Sequence, residues 1–254
     1  MSLPLKEQVV IVSGAGRGFG AAIAAAFARE GAKVAVNYRA SREPAEALAE
    51  RLGNHAKAFR ADIRSLDETK RLVADVTAHF GAPTTIVHNA LADFSFNGNA
   101  RSKLDELSWA EMATQLETAL QGALNLIQAA RPAMAAASFG RIVTIGTNLF
   151  QNPVVPYHDY TAAKAALLSL TRTAAAELGP LGITVNMVSG GLLRTTDASS
   201  ATPEAVFDII AANTPLRRVT TPEEAADTVL FFASPWARAV TGQNLIVDGG
   251  LVFG

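Results

Sequence analysis

Tyr160 and Lys164 stand four residues apart, in Tyr160-Thr161-Ala162-Ala163-Lys164, at the start of an alanine- and leucine-rich segment. On a helix this spacing puts both side chains on one face. Thr147 stands thirteen residues before the tyrosine, just past the β-branched run Arg141-Ile142-Val143-Thr144-Ile145. A hydroxyl, a phenol and an ammonium brought together would serve one kind of chemistry. A free tyrosine has a pKa of about 10 and is a poor base at neutral pH. A neighbouring ammonium favours the phenolate and lowers that value. With the threonine hydroxyl on the same substrate oxygen, the phenol would give a proton to a carbonyl or take one from an alcohol. Tyr-x-x-x-Lys is a short pattern, and a tyrosine and lysine on a surface helix satisfy it equally well. The elements around it decide between the two.

The chain begins with a second chemical feature. Val9-Val10-Ile11-Val12 is an apolar run of the kind found in strands covered on both faces. Ser13-Gly14-Ala15-Gly16-Arg17-Gly18-Phe19-Gly20 follows, then a strong helix former, Ala21 to Glu30, stopping at Gly31. Strand, glycine loop and helix in this order suit a pyrophosphate: glycines let it approach the backbone, and the helix N-terminus offers free N–H groups. The second strand, Lys33 to Tyr38, is not followed by the acidic residue that binds ribose hydroxyls in NAD-selective sites. It runs into Arg39, which with Arg17 would grip a 2′-phosphate. NADP(H) is therefore expected over NAD(H).

The elements that must position these residues alternate regularly. Helix is expected from Glu43 to Gly53, strand from Ala56 to Arg60, helix from Leu66 to Phe80 and strand from Thr84 to Val87. A long helix is expected from Trp109 to Ala137 and another running on from Tyr160 to Leu178. Strand follows at Ile183–Val188, helix at Pro222–Ser234 and a last strand at Asn244–Val247. This predicts an α/β fold: one Rossmann-like, doubly wound parallel sheet of about seven strands with helices on both faces, formed by residues 1–254 as a single domain. Leu91 to Ser108, with Phe94, Phe96, Gly98 and Arg101, breaks the rhythm and reads as a long loop on the ligand side, either a substrate wall or a surface excursion. Residues 190–214 read as a mobile lid.

Composition narrows the function further. The 254 residues carry a net charge of −1 and no cysteine. That argues against a nucleic-acid or anionic-membrane surface and leaves neither disulfides nor thiolate chemistry. No apolar run reaches the length of a membrane span, and the start does not read as a signal peptide, so a cytoplasmic location is expected. His55, His79, His88 and His158 lack metal-ligand spacing. No metal is expected, and His158 reads as a rim residue. The helix after Tyr160 is apolar nearly all round, as is Ala123 to Ile127, so a homo-oligomer, tetramer or dimer, is expected.

Taken together, Gly14-Ala15-Gly16-Arg17-Gly18-Phe19-Gly20, Asp62-Ile63, Asn89-Ala90, Tyr160-Thr161-Ala162-Ala163-Lys164, the Asn186 segment and Asp248-Gly249-Gly250 resemble the short-chain dehydrogenase/reductase family over essentially the whole chain. Within it the chain is similar to the 3-oxoacyl-[acyl-carrier-protein] reductase group of fatty acid metabolism. The resemblance implies that Tyr160 exchanges the proton, that Lys164 lowers its pKa and binds the nicotinamide ribose, and that Thr147 takes the place of a catalytic serine. It also implies that Asp62 and Ile63 flank the adenine, that Asn89 and Ala90 line the middle of the cofactor, and that Leu193 and Thr195 meet the amide and phosphates. Arg17 before Gly18, with Arg39, resembles the NADP-preferring members.

The chain departs from the family pattern at four places. Thr147 replaces serine and its methyl narrows the site. Ala119 falls where many members carry a relay asparagine. His88 stands in the usual Asn-Asn-Ala-Gly, and Gly190 replaces a proline. Ser138 and Leu181 occupy places where acyl-carrier reductases often carry basic residues. Three functions fit. One is NADPH-dependent reduction of a ketone, for instance a 3-oxoacyl thioester. Another is oxidation of an alcohol, polyol or steroid. The third is a cofactor-binding regulatory role with impaired catalysis.

Overall fold

The computed structural model describes residues 2–92, 94, 96–97 and 101–253. Gly98, part of the long-loop reading, lies outside them. The strands are β1 (Val9–Val12), β2 (Lys33–Tyr38), β3 (Ala56–Arg60), β4 (Thr85–His88), β5 (Gly140–Thr147), β6 (Ile183–Gly190) and β7 (Asn244–Val247). Among the described residues they form one parallel sheet of seven strands in the order β3-β2-β1-β4-β5-β6-β7. The helices are α1 (Gly18–Arg29), α2 (Arg42–Leu52), α3 (Leu66–Phe80), α4 (Trp109–Leu116), α5 (Gly122–Ala136), α6 (His158–Leu178), α7 (Glu204–Asn213) and α8 (Pro222–Ala233).

Side chains alternate across a strand, so each apolar run feeds two cores. Val10, Val12, Val34, Val36, Val143 and Val188 pack with Phe27 of α1, Leu48 of α2 and Val229 of α8. Val9, Ile11, Ile86, Ile142 and Val185 pack with Leu72 of α3, Leu126 of α5 and Leu178 of α6 on the opposite face. Full burial of each such side chain contributes about 1.5–3 kcal/mol. The strand order runs one way from β1 and the other way from β4. That opens a crevice beyond the carboxyl ends of these two strands, the place where ligands bind in open α/β sheets.

Several element ends shift by one to three residues, and two differences bear on the site. The expected Trp109–Ala137 helix is interrupted: α4 passes through a π-helical turn, Glu117–Gln121, into α5. The extra residue turns the Ala119 carbonyl toward β4, where it accepts a hydrogen bond from the His88 ring at 2.9 Å. π turns often sit at functional sites. α6 begins at His158 rather than at Tyr160, which puts Tyr160 and Lys164 in its first two turns. The long loop ends where expected, at Ser108, which with Glu111 forms a capping box on α4.

Candidate active site

A cleft of about 1190 Å³ lies over the carboxyl ends of the strands. The sequence-predicted site residues line it with one exception: Thr195 is exposed and is not among the lining residues, whereas Thr196 is. The cause is Ser199, around which the turn is tied. Its hydroxyl donates to the Leu193 carbonyl at 2.9 Å and accepts from the Thr196 N–H at 2.8 Å. Leu193 and Thr196 are drawn in, and Thr195 is left outside.

The floor at the β1–β4 switch is close-packed main chain. Gly14 has φ +63°, and a Cβ there would sit 2.9 Å from the Ala90 Cα. A Cβ on Gly20 would sit 2.4 Å from the Gly14 carbonyl oxygen. Only glycine fits either place. Asn89 holds the loop, its amide donating to the carbonyls of Ser13 and Gly14 at 3.1 and 3.2 Å. The Ser13 hydroxyl accepts from the N–H groups of Asn89 and Ala90 at 3.0 and 3.1 Å. It also lies 3.3 Å from Nδ1 of His88. With the Ala119 carbonyl accepting from Nε2, the ring is a neutral Nε2–H tautomer bridging β1, β4 and the π turn. Burial first, and the nearby Lys164 charge second, push the His88 pKa down to about 3.

The reactive trio meets at the end of β5. Thr147, Tyr160 and Lys164 are all buried. The Tyr160 phenol lies beside Thr147, whose hydroxyl pulls its pKa down, and the Lys164 ammonium donates to the Ile145 carbonyl at 2.6 Å. The expected lowering of the tyrosine pKa by the lysine is not what this arrangement produces. Burial pushes Tyr160 up to about 12 against the smaller downward pull of Thr147, and pushes Lys164 down to about 8. The ammonium lies 5.8 Å from the phenol ring centroid. In a low-dielectric interior each group moves toward its neutral form. Next to Thr147, the Asn148 amide donates to Asp248 at 2.8 Å. Asp248 also accepts from the N–H groups of Gly250, Leu251 and Val252, so the C-terminal turn is tied to the trio.

At the far end, β2 delivers Asn37, whose buried amide donates to the carbonyls of Phe59 and Ala61, and then the exposed Arg39. Asp62 is engaged by Arg64, with an Nη2–Oδ2 distance of 2.6 Å and a second bond through Nε, so its carboxyl is held below the ordinary range. Arg17 lies 3.5 Å from Asp197, both more than half exposed. Three arginines, Arg17, Arg39 and Arg64, therefore line this end.

The long loop forms a roof over the trio. Phe94 stacks on Tyr160 with centroids 4.7 Å apart and rings inclined by 29°. Phe96 meets the same ring edge-on at 5.7 Å, and Tyr157 packs edge-on against Phe94 at 5.2 Å. The Arg101 guanidinium lies 4.5 Å over the Phe94 ring and pairs with Asp159, which is buried in the first turn of α6. The Phe96 N–H donates to the Ala198 carbonyl at 3.0 Å, joining the roof to the segment before α7. His158 is half-buried beside it.

A family model described as enoyl-(acyl carrier protein) reductase matches residues 14–252. The chain belongs to the short-chain dehydrogenase/reductase family. It is 34% identical to a 3-oxoacyl-[acyl-carrier-protein] reductase FabG of Staphylococcus epidermidis, over 96% of this chain and 99% of that one. It is 32% identical to nodulation protein G of Azospirillum brasilense, over 98% of this chain and all of that one. The crystal structure of a dehydrogenase/reductase from Sinorhizobium meliloti superposes with a TM-score of 0.86 at 29% identity, covering 98% of each chain. Membership makes the chain an oxidoreductase and implies a nicotinamide cofactor. The glycine cradle fits one: the loop leaves no room for side chains, opens into the cleft and leads into the N-terminus of α1.

Several residues of this short-chain dehydrogenase/reductase site were not assigned roles from sequence. Ser13, Asn148, Arg64 and the Arg101–Asp159 pair act across 50 or more residues in most cases, and no local spacing marks them. Arg64 follows Asp62-Ile63 directly, and a carboxylate with arginine two residues on was the available signal. Asn125 of α5 was also passed over. Its amide holds the Ile63 and Arg64 carbonyls at 2.8 and 3.0 Å and so fixes that wall.

Proposed function

We propose that this enzyme reduces a ketone to a secondary alcohol with NADPH. The observation that carries the proposal is the buried trio at the end of β5, Tyr160 beside Thr147 with Lys164 one turn on along α6; burial keeps the phenol protonated. A protonated phenol is the form a reduction requires. The bound nicotinamide supplies the hydride to the carbonyl carbon. Thr147 donates a hydrogen bond to the carbonyl oxygen and Tyr160 delivers its proton there as charge develops. Lys164 positions the main chain at Ile145 and offers its remaining protons to the nicotinamide ribose.

Cofactor choice follows from charge at the far end. Gly14, Gly18 and Gly20, with Phe19, cradle the pyrophosphate. Asp62 and Ile63 flank the adenine, while Asn89, Ala90 and Leu193 line the middle of the cofactor. No carboxylate follows β2 to repel a 2′-phosphate, and Arg39 with Arg17 supports NADP(H) over NAD(H). Thr196 is the better candidate for the phosphate-side hydroxyl than Thr195. Residues 190–214 act as the lid of a single domain. The exposed Trp109 and the half-exposed Leu124 support association into a dimer or tetramer. No described helix is long and apolar enough to cross a membrane, and a cytoplasmic location is consistent with this.

The test is oxidation of NADPH and NADH against a panel that includes acetoacetyl-CoA, for the 3-oxoacyl thioesters named by the relatives, and simple ketones. NADPH-selective turnover that disappears in Tyr160→Phe is expected. Oxidation of alcohols by NADP+ with no ketone reduction would favour the dehydrogenase direction. NADPH binding with no turnover would overturn the proposal in favour of a regulatory role, a reading that Ala119 supports because it offers a relay only its main chain.

A further inference from the structure

We infer that the ketone accepted by this site carries a flat, apolar, uncharged body, an aryl group in the simplest case, seated between the Phe94–Phe96 roof and α7. The inference rests on the reductase reading and names the substrate class for it.

Three observations on different parts of the cleft converge. The first is the aromatic cluster. Phe94 and Phe96 meet the Tyr160 ring at centroid separations of 4.7 and 5.7 Å, and Tyr157 packs on both of them at 5.2 and 5.9 Å. These are the stacked and edge-on spacings that aromatic rings favour. A carbonyl carbon reaching Tyr160 must bring its substituents alongside these rings. The roof is also held at two places, by Arg101–Asp159 on α6 and by the Phe96–Ala198 hydrogen bond on the lid side. It therefore presents a prepared surface to whatever lies under it.

The second observation is the facing wall. Val206 and Ile209 of α7 line the cleft and are 37% and 62% exposed. Val154, 69% exposed, lines it from the segment before α6. Apolar side chains left in water on the inside of a cleft mark a surface that a ligand covers.

The third is the distribution of charge. Among the described residues lining the cleft, the basic ones are Arg17, Arg39, Arg64 and Lys164. The three arginines stand at the far end, by Asp62 and β2, and Lys164 is engaged by the Ile145 carbonyl. Arg101, the cation beside the roof, is paired with Asp159. A substrate carried on a phosphate-bearing arm would need a cation at the mouth near Val154 and Ile209, and none of the lining residues there supplies one. A neutral apolar ketone needs none.

The experiment compares ethyl benzoylacetate, ethyl acetoacetate and acetoacetyl-CoA. Binding to the NADP+-loaded protein is measured by calorimetry, alongside kcat/KM with NADPH. Wild type, Phe94→Leu and Phe96→Leu are compared, and the change in aryl preference between proteins cancels the intrinsic reactivity of each ketone. The expected result is a preference for ethyl benzoylacetate of about tenfold or more over both other ligands, in binding and in kcat/KM. That preference should fall by about three- to tenfold in each variant, the worth of one aromatic pair. Acetoacetyl-CoA binding as tightly as the aryl ester, or an aryl preference untouched in both variants, overturns the inference. Turnover led by acetoacetyl-CoA would do so while leaving the reductase reading intact. Aryl-selective binding that weakens in the variants, with no turnover, would uphold the pocket and sink the reductase reading.

Discussion

Thr147, Lys164 and His88 sit at strand ends or on a helix packed over the sheet, and each has a main-chain partner within the floor: the Leu149 N–H, the Ile145 carbonyl and the Ala119 carbonyl. Phe94, Phe96 and Arg101 sit on a loop, and their main partners are side chains at the start of α6 and on the residue before it: the Tyr160 ring, the Tyr157 ring and the Asp159 carboxylate. The floor is thus fixed by the sheet itself, and the roof by contacts between two surface segments. Floor residues set protonation and geometry, where a small displacement costs rate. Roof residues set what fits, and they can differ between relatives without disturbing the chemistry below. The two regions should respond differently to the same kind of perturbation.

The largest contrast is expected in acid. His88 titrates at about 3 in the folded protein and near 6.5 when unfolded. Between these values the unfolded chain binds the proton and the folded chain does not. Stability is therefore complete above 6.5 and declines as the pH falls toward 3, by about 1.4 kcal/mol per pH unit and on the order of 5 kcal/mol in all. His88→Gln should flatten this limb in urea unfolding followed at a series of pH values. An unchanged acid slope in that variant would mean that the floor does not depend on the neutral ring.

Tyr160→Phe should come next, lowering kcat/KM by about 10²–10⁴-fold through loss of the proton donor. Its ring remains under Phe94, so the binding of an apolar ketone should change far less than its turnover. If affinity and rate fell together, floor and roof would not be separable in the way proposed.

Arg101→Met addresses the roof. It leaves the Asp159 carboxylate buried without its partner, which is destabilising, although the first turn of α6 compensates part of the charge. A loss of about 2 kcal/mol is expected. It should be recovered in part by adding Asp159→Asn, with a raised KM for the ketone in both. A double-mutant cycle in denaturant measures the pair directly. A coupling of zero would mean that the roof is held by Phe94 and Phe96 alone.

The same division explains what could be read from the sequence. The strands ending at Val12, His88 and Thr147 are apolar runs with abrupt ends, and the β3, α3 and β7 boundaries fall where the pattern puts them. Glycine at 14 and 20 is legible because only one residue type fits those places. The Tyr160–Lys164 pair is legible because one helical turn is a local distance. The direction of the Tyr160 pKa is not: burial is a property of the whole assembly, and it outweighs the downward pull of Thr147. Thr195 and Thr196 could not be told apart because Ser199, not their own sequence, decides which faces inward. The π turn depends on a partner on β4. The rings at 94 and 96 were visible as residues of a loop, but their seat on Tyr160 comes from contacts more than 60 residues away.

Arg39 sharpens the comparison from the far end of the floor, where side chains are exposed and effects should be smallest. Arg64 is bound to Asp62 at 2.6 Å and Arg17 lies 3.5 Å from Asp197. Arg39 is left to meet most of a 2′-phosphate, with no carboxylate after β2 to oppose it. In solvent a single charge-assisted contact is worth about tenfold in binding. Arg39→Ala should therefore lower the NADPH-over-NADH ratio of kcat/KM by about that factor, with the NADH value itself nearly steady. Arg17→Ala should do less, because its guanidinium is shared with Asp197. If Arg17→Ala had the larger effect, the lid would have to release Arg17 when the cofactor binds. Cofactor choice would then belong to the lid as much as to the floor.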